Sequence, residues 1–310
     1  MRIVFFGTPE LAVPSLAILR EHHDVVALVC QPDRPQGRSD KPVPPSTKEL
    51  ALERGIRMHQ PTKLNDGAFE KWLRETRPEL CALVAYGRIL KQPILDVPAH
   101  GFLNVHPSLL PKYRGPSPIQ TAVRNGETKT GVTIMRLDAG MDTGDMLLQR
   151  ATDIPDDDNA ETLTARVAQI GADMLLEAVG LVETGEATFM PQDHSLATVT
   201  TLWKKEDGGI RWGESARSLR NLVRACVPWP VAYCRFGGEV LRIHEAEAID
   251  IAADAPPGTV SGIETTRILV ATGDGTLAIT RLQATGRKAM PTGDFLRGNR
   301  IETGDRFEDG

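Results

Sequence analysis

Apolar runs too short to be helices recur through the first half of the chain, with helix-patterned stretches between them, and no other feature narrows the possible folds so far. The runs occupy residues 2–6, 25–30, 56–59, 80–85 and 102–105. Between them Leu11, Leu16 and Leu19, and later Phe69, Trp72 and Leu73, recur at helical spacing. Strands alternating with helices predict a Rossmann-like α/β fold, a mostly parallel sheet with right-handed crossovers and helices on its flanks. Gly7-Thr8-Pro9 turns the chain after the first strand, with Thr8 placed to cap the next helix. Ser46-Thr47-Lys48-Glu49 has the spacing of a capping box, and Gly55 suits the end of that helix. Residues 130–149 predict two more strands around a glycine-rich bend. Residues 160–183 predict the longest helix, with Leu163, Val167, Ile170, Met174 and Val179 on one stripe.

The periodicity then changes. Residues 186–200 are polar and aperiodic, as in a linker. Beyond them come short apolar runs with glycine turns, at 231–236, 240–243, 259–263, 268–272 and 277–282, which predict a small antiparallel, OB-like β-barrel. The expected organisation is one domain over residues 1–188, a linker over 189–205 and a C-terminal barrel over 206–310. Trp203, Trp212 and Trp229 are expected to serve packing rather than base stacking.

Charge and cysteine usage exclude several classes. The net charge of −5 is no nucleic-acid signature for the chain as a whole, although residues 281–300 carry five basic residues against Asp294 alone, a patch suited to phosphates. Cys30, Cys81, Cys226 and Cys234 form no C-x-x-C pair and no zinc-spaced cluster, so neither disulfides nor a metal is expected. No run approaches the roughly 18 apolar residues of a membrane span. The opening residues read as a strand rather than a signal peptide, which places the protein in the cytoplasm. The glycine turn after the first strand lacks G-x-G-x-x-G and a Walker lysine, which argues against a dinucleotide or ATP.

The densest chemical signal is the stretch from Phe102 to Gly115, which reads FLNVHPSLLPKYRG. Two residues apart on a strand, Asn104 and His106 share a face. They fall at the carboxyl end of a parallel strand, where open α/β sheets bind ligands. A second cluster, Asp138-Ala139-Gly140-Met141-Asp142-Thr143-Gly144-Asp145, offers carboxylates on a glycine-rich bend where the backbone can approach a ligand closely. These groups suit acyl transfer to an amine. Asn104 can donate to the oxygen that gains negative charge, His106 can donate when protonated, and Asp142 can orient the imidazole and stabilise its charge. An amine attacks directly, so no covalent nucleophile is required.

With these residues in hand, the chain resembles the formyltetrahydrofolate-dependent formyltransferases, through Asn104-Val105-His106-Pro107-Ser108-Leu109-Leu110-Pro111 with Asp142 downstream. The likeness covers nearly the whole chain. It includes Phe6-Gly7-Thr8-Pro9, residues 31–38, Val84-Ala85-Tyr86-Gly87-Arg88-Ile89-Leu90, Gly131-Val132-Thr133-Ile134-Met135, Pro228-Trp229-Pro230 and Gly286-Arg287-Lys288-Ala289-Met290. The last two of these and the 31–38 loop resemble the branch that acts on methionyl initiator tRNA.

The resemblance implies that Asn104, His106 and Asp142 are the catalytic trio. It implies a reduced-folate site for 10-formyltetrahydrofolate at Ser108, Leu109, Leu110 and Pro111, with Tyr86, Gly87, Ile89 and Leu90 lining the pterin pocket partly through backbone groups. It implies contact with the tRNA acceptor end by the loop bearing Arg34 and Arg38, and tRNA binding by the barrel, with Lys205, Arg287 and Lys288 as its cations. A monomer with no resident metal is expected. Two other readings stay open beside it: the same folate chemistry that the resemblance implies, on another amine such as an amino sugar on a nucleotide, and a non-catalytic RNA-binding module.

Overall fold

The computed structural model describes residues 1–35, 41–251 and 254–310. Arg38 lies outside the described residues. The chain divides into two units. The first comprises Met1–Pro118, Lys129–Asp153 and Thr164–Thr200, and the second Ile119–Thr128, Ile154–Leu163 and Thr201–Gly310.

In the first unit the strands are β1 (Arg2–Gly7), β2 (Asp24–Val29), β3 (Arg34–Pro35), β4 (Pro42–Val43), β5 (Met58–His59), β6 (Leu80–Val84), β7 (Phe102–His106), β8 (Lys129–Arg136) and β9 (Met146–Asp153). Helices α1 (Val13–His22), α2 (Ser46–Glu53), α3 (Ala68–Thr76) and α4 (Gln92–Leu95) fall between them, while α5 (Pro118–Arg124) and α6 (Ala160–Thr184) run across the division between the units. The main sheet has the order β5-β2-β1-β6-β7-β8-β9. Its first five strands are parallel, and β8 and β9 are antiparallel to their neighbours. The chain leaves β1 toward β2 on one side and returns through β6 on the other, so the strand order reverses there. Such a reversal opens a crevice at the carboxyl ends of the strands.

Every residue of β6 and β7 is buried. On one face Val4, Phe6, Leu83 and Phe102 share an apolar cluster with Phe69, Leu73 and Tyr86. On the other, α6 approaches so closely at Gly171 that a Cβ there would lie 2.7 Å from Val105 Cγ1. The predicted helix of residues 160–183 is α6, and Leu163, Val167, Met174 and Val179 of its stripe are buried. Asn159 caps it, its Oδ1 accepting from the backbone N–H groups of Glu161 and Thr162.

Two local expectations change. The α2 cap is Pro45, and no capping box forms; Thr47 instead donates its hydroxyl to the Gly7 carbonyl at 3.0 Å, pinning the helix to the end of β1. Thr8 does not cap a helix either, because its hydroxyl accepts from the Gln31 amide. At Thr8 a tertiary partner takes the hydroxyl, and α2 is fixed at its start by Thr47 rather than by a cap.

The second unit holds α7 (Ala216–Ala225), β10 (Ala232–Phe236), β11 (Glu239–Ile249), β12 (Val260–Ile263), β13 (Ile268–Ala271), β14 (Thr276–Ala284), β15 (Met290–Pro291) and α8 (Thr292–Leu296). The antiparallel order is β10-β11-β14-β13-β12, with β15 on β14. The chain's last residues bridge the two edges. Glu308 pairs with Arg235 of β10, and Arg306 pairs with Thr259 just before β12. A strip of main chain thus satisfies both sheet edges and closes the barrel. Leu219, Leu222 and Val223 of α7 join Ile243, Val270, Leu277 and Ile279 in its core. Trp212 is buried there and Trp203 packs against it, but Trp229 is 54% exposed and is no core residue.

The four cysteines are free and buried. No described helix is long and apolar enough to cross a membrane. The close approach of α6 to β7 yields a test. Gly171→Ala should destabilise the protein by about 1–3 kcal/mol, since the new methyl has to displace Val105 from a filled core. Chemical denaturation of the variant measures this, and an unchanged midpoint would contradict the packing described.

Candidate active site

Strand β7 carries Asn104 and His106 to the carboxyl edge of the sheet, where both are buried, at 5% and 4% exposure. They share the face of Phe102, so an apolar strand end passes into a polar one at the crevice. The loop between β8 and β9 brings Asp142 to the imidazole, with Oδ2 3.7 Å from His106 Nδ1. The other ring nitrogen, Nε2, lies 2.9 Å from the Tyr113 carbonyl oxygen. A carbonyl only accepts, so Nε2 carries the proton and donates it. In the neutral ring Nδ1 is then the open base, facing a carboxylate. A proton taken up at Nδ1 produces an imidazolium whose charge Asp142 offsets.

Asp142 is itself held. Its Oδ2 accepts from the Gly115 amide at 2.7 Å. Asp138 folds the same loop, accepting from the Gly140 amide and the Thr143 hydroxyl. Ala85, Tyr113 and Asp142 have φ of 47°, 59° and 54°, left-handed conformations in the loops that bear the site. Side chains other than glycine rarely adopt them, and their clustering at one place is a mark of functional sites. At Gly115, φ is +100° and a Cβ would stand 2.7 Å from the Thr200 carbonyl, so only glycine fits.

Among the described residues Asn104 has no side-chain hydrogen bond, which leaves its amide available to a ligand. The segment after His106 is more self-contained than the sequence suggests. The Ser108 hydroxyl donates to the Lys112 carbonyl at 2.6 Å, and the Ser108 carbonyl accepts from Thr133. The Leu110 amide donates to Thr133 Oγ1, and the Leu110 carbonyl accepts from Gln149. Leu110 is buried, while Leu109 and Pro111 are partly exposed.

In the neighbouring stretch the Tyr86 ring is buried in the core, 5.4 Å from that of Phe6, and burial pushes its phenol up to about 12. Tyr86 therefore faces the crevice with its backbone and not its ring. Gly87 is left-handed, Ile89 is 81% exposed and Leu90 is in the core. Arg34 is exposed on β3 in the first unit. Lys205, Arg287 and Lys288 are exposed in the second.

A polar lattice that the sequence did not reveal ties the root of the 31–45 loop to the strand ends. Gln31 donates to the Tyr86 carbonyl, and Arg88 donates to Gln31 Oε1. Gln60 donates to the Gln31 carbonyl and to Asp33. Lys48 Nζ reaches both Asp33 oxygens at 2.8 Å. The Gln60 amide, and after it Lys48, holds the Asp33 carboxyl below the usual carboxylate range. Burial pushes the adjacent Cys30 thiol up to about 11, which leaves it unreactive. Gln192 and Arg114 were also missed. Gln192 lies in the stretch expected as a linker, yet residues 190–200 are bonded to the first unit. Met190 pairs with Met146, and Arg114 exchanges main-chain bonds with Thr198 and Thr200. No periodicity marks such residues; only Pro191-Gln192 punctuates the stretch.

An amide donor, an imidazole with one open nitrogen and an immobilised carboxylate can activate a carbonyl toward direct attack and carry the proton, which is acyl-transfer chemistry without a covalent intermediate. Comparison with known proteins agrees. The family model described as formyl transferase matches residues 1–179, and that described as formyl transferase, C-terminal domain, matches residues 203–300. The chain belongs to the formyl transferase family. It is 43% identical to the methionyl-tRNA formyltransferase of Solibacter usitatus over 100% of this chain and 99% of that protein. It is 44% identical to that of Pelotomaculum thermopropionicum, over 98% and 97%. Its fold is similar to that of an N-formyltransferase from Helicobacter canadensis solved with folinic acid and dTDP-3-aminofucose, with a TM-score of 0.68 and 18% identity over 89% of this chain and 97% of that one.

The depressed Asp33 carboxyl gives a signed expectation. A lowered folded value means that the Asp33 bonds contribute above the ordinary carboxylate value of about 3.9 and are lost as pH falls through the folded value. Gln60→Leu should move the Asp33 titration, followed by carboxyl NMR, upward toward that ordinary value. An unmoved titration would show that Gln60 is not its cause.

Proposed function

We propose that this protein transfers the formyl group of 10-formyltetrahydrofolate to the free amine of methionine charged on initiator tRNA, acting as a monomer in the cytoplasm and priming translation initiation. The convergence of His106 and Asp142 on the Asn104 edge of the sheet carries the reading, and the full-length likeness to methionyl-tRNA formyltransferases supports this acceptor. The chemistry resides in residues 1–188 and the tRNA-holding surface in residues 206–310, with 189–205 connecting them and its first half buttressing the site.

The neutral amine attacks the formyl carbon, and the carbonyl oxygen gains charge. Asn104 donates to that oxygen. His106 takes up a proton at Nδ1 and relinquishes it toward the departing folate nitrogen, while Asp142 holds the imidazolium and the Tyr113 carbonyl fixes the ring. The donor lies along Ser108–Pro111 and the backbone of residues 86–90. Arg34 is assigned to the tRNA acceptor end, as is Arg38, which lies outside the described residues, and Lys205, Arg287 and Lys288 are assigned to its phosphates. No group of three or more metal-ligating side chains occurs among the described residues, and the steps above need none.

Incubation with charged initiator tRNA and donor labelled in the formyl group should give labelled formylmethionyl-tRNA. No transfer from intact donor would overturn the reading. Asn104→Ala should cost about 10²–10³ in turnover, the effect of losing one oxyanion donor, with tRNA affinity little changed. Acceptor binding should weaken steeply with salt, because cations released from phosphates return to solution. Salt-insensitive acceptor binding would instead favour a small amino-sugar substrate.

A further inference from the structure

Arg114 is 6% exposed, and its Nε and Nη2 groups meet an amide oxygen and an imidazole nitrogen rather than a carboxylate. Both donate to Gln192 Oε1, at 3.1 and 2.6 Å, and Nη2 also meets His194 Nδ1 at 2.8 Å. A buried cation is costly to keep, so its use deserves a physical account. Gln192 is equally buried, at 5% exposure. Its Nε2 donates to the main-chain carbonyls of Asp142 and Gly144, at 2.9 and 2.8 Å.

These bonds determine the sense of the Gln192 amide. A guanidinium only donates and a carbonyl only accepts. Flipping the amide would set NH₂ against the guanidinium and oxygen against two carbonyls, four repulsive contacts in place of four bonds. Arg114 therefore keeps the NH₂ pointed at the loop. The residue after Arg114 supplies the amide that holds the Asp142 carboxylate. Both ends of Asp142, carboxylate and backbone, are thus held through Gln192 and the residue after Arg114, with Asp142 in a left-handed conformation.

We propose that Gln192 is a positioning residue that sets the Asp142 carboxylate against His106, with Arg114 fixing the direction of its amide. The proposal rests on the role given above to Asp142. Gln192→Glu separates this role from a structural one. A glutamate keeps its bond to Arg114, as an ion pair, but turns only oxygen toward the two carbonyls and releases the loop. Turnover should fall by about 10²-fold, as for a small misplacement of a catalytic group, with KM for both substrates within about threefold of wild type.

The pH–rate profile should change in the same direction as that of Asp142→Asn. The double variant should be no slower than Asp142→Asn alone, because both remove one function. Turnover within threefold of wild type, losses that multiply in the double variant, or an effect confined to KM would overturn the proposal. Wild-type turnover in Asp142→Asn would overturn the underlying reading instead. Should Gln192→Glu fail to fold, Gln192→Met, of similar length and with neither donor nor acceptor oxygen, is measured in the same way.

Discussion

Three consecutive residues, 113–115, hold the two ionisable groups of the site. The Tyr113 carbonyl accepts from one nitrogen of His106, and the Gly115 amide donates to the carboxylate of Asp142. That short stretch is itself tied down by its neighbours. Thr198 and Thr200 bond it from outside, and the left-handed conformations of Tyr113 and Gly115 turn it so that a carbonyl and an amide face the same place. Backbone groups suit this task because they have no side-chain entropy to lose and cannot change protonation state.

The cost of such precision is spread over the fold. A fully buried strand must end in two polar residues, a bend must hold an aspartate at positive φ, and a guanidinium must be kept from water. Each is tolerated because a large apolar sheet lies beneath it. The aromatic cluster of Phe6, Phe69, Tyr86 and Phe102 packs the ends of β1 and β6 against the start of β7. Tyr86 illustrates the division of labour, with its ring in that core and its carbonyl accepting from Gln31.

Much of the fold was legible because burial imposes period. The five predicted first-half runs all contain strands, and the stripe of residues 160–183 is α6. The family pattern and the strand geometry together singled out Asn104, His106 and Asp142, and the first two had to share a face. The residues that escaped notice are those whose roles depend on partners distant in sequence. Gln192 lies 50 residues from the loop it holds, and Lys48 lies 15 from Asp33. Thr8 and the Ser46–Glu49 stretch carried local cap signals, yet the Thr8 hydroxyl accepts from the distant Gln31 amide and Thr47 donates to the Gly7 carbonyl. A polar side chain has several possible partners of similar strength, and only the folded neighbourhood selects among them.

Sequence alone determined the two kinds of sheet, the long helix and the chemical types in the crevice, since each follows from periodicity or from the local geometry of a strand. Tertiary structure decided which nitrogen of His106 is open, that the stretch before Thr200 buttresses the site, and that the chain's last residues close the barrel between Arg235 and Thr259. These outcomes are pairings between groups far apart along the chain. They exist only once hydrophobic burial has brought the segments together, and no local pattern encodes them.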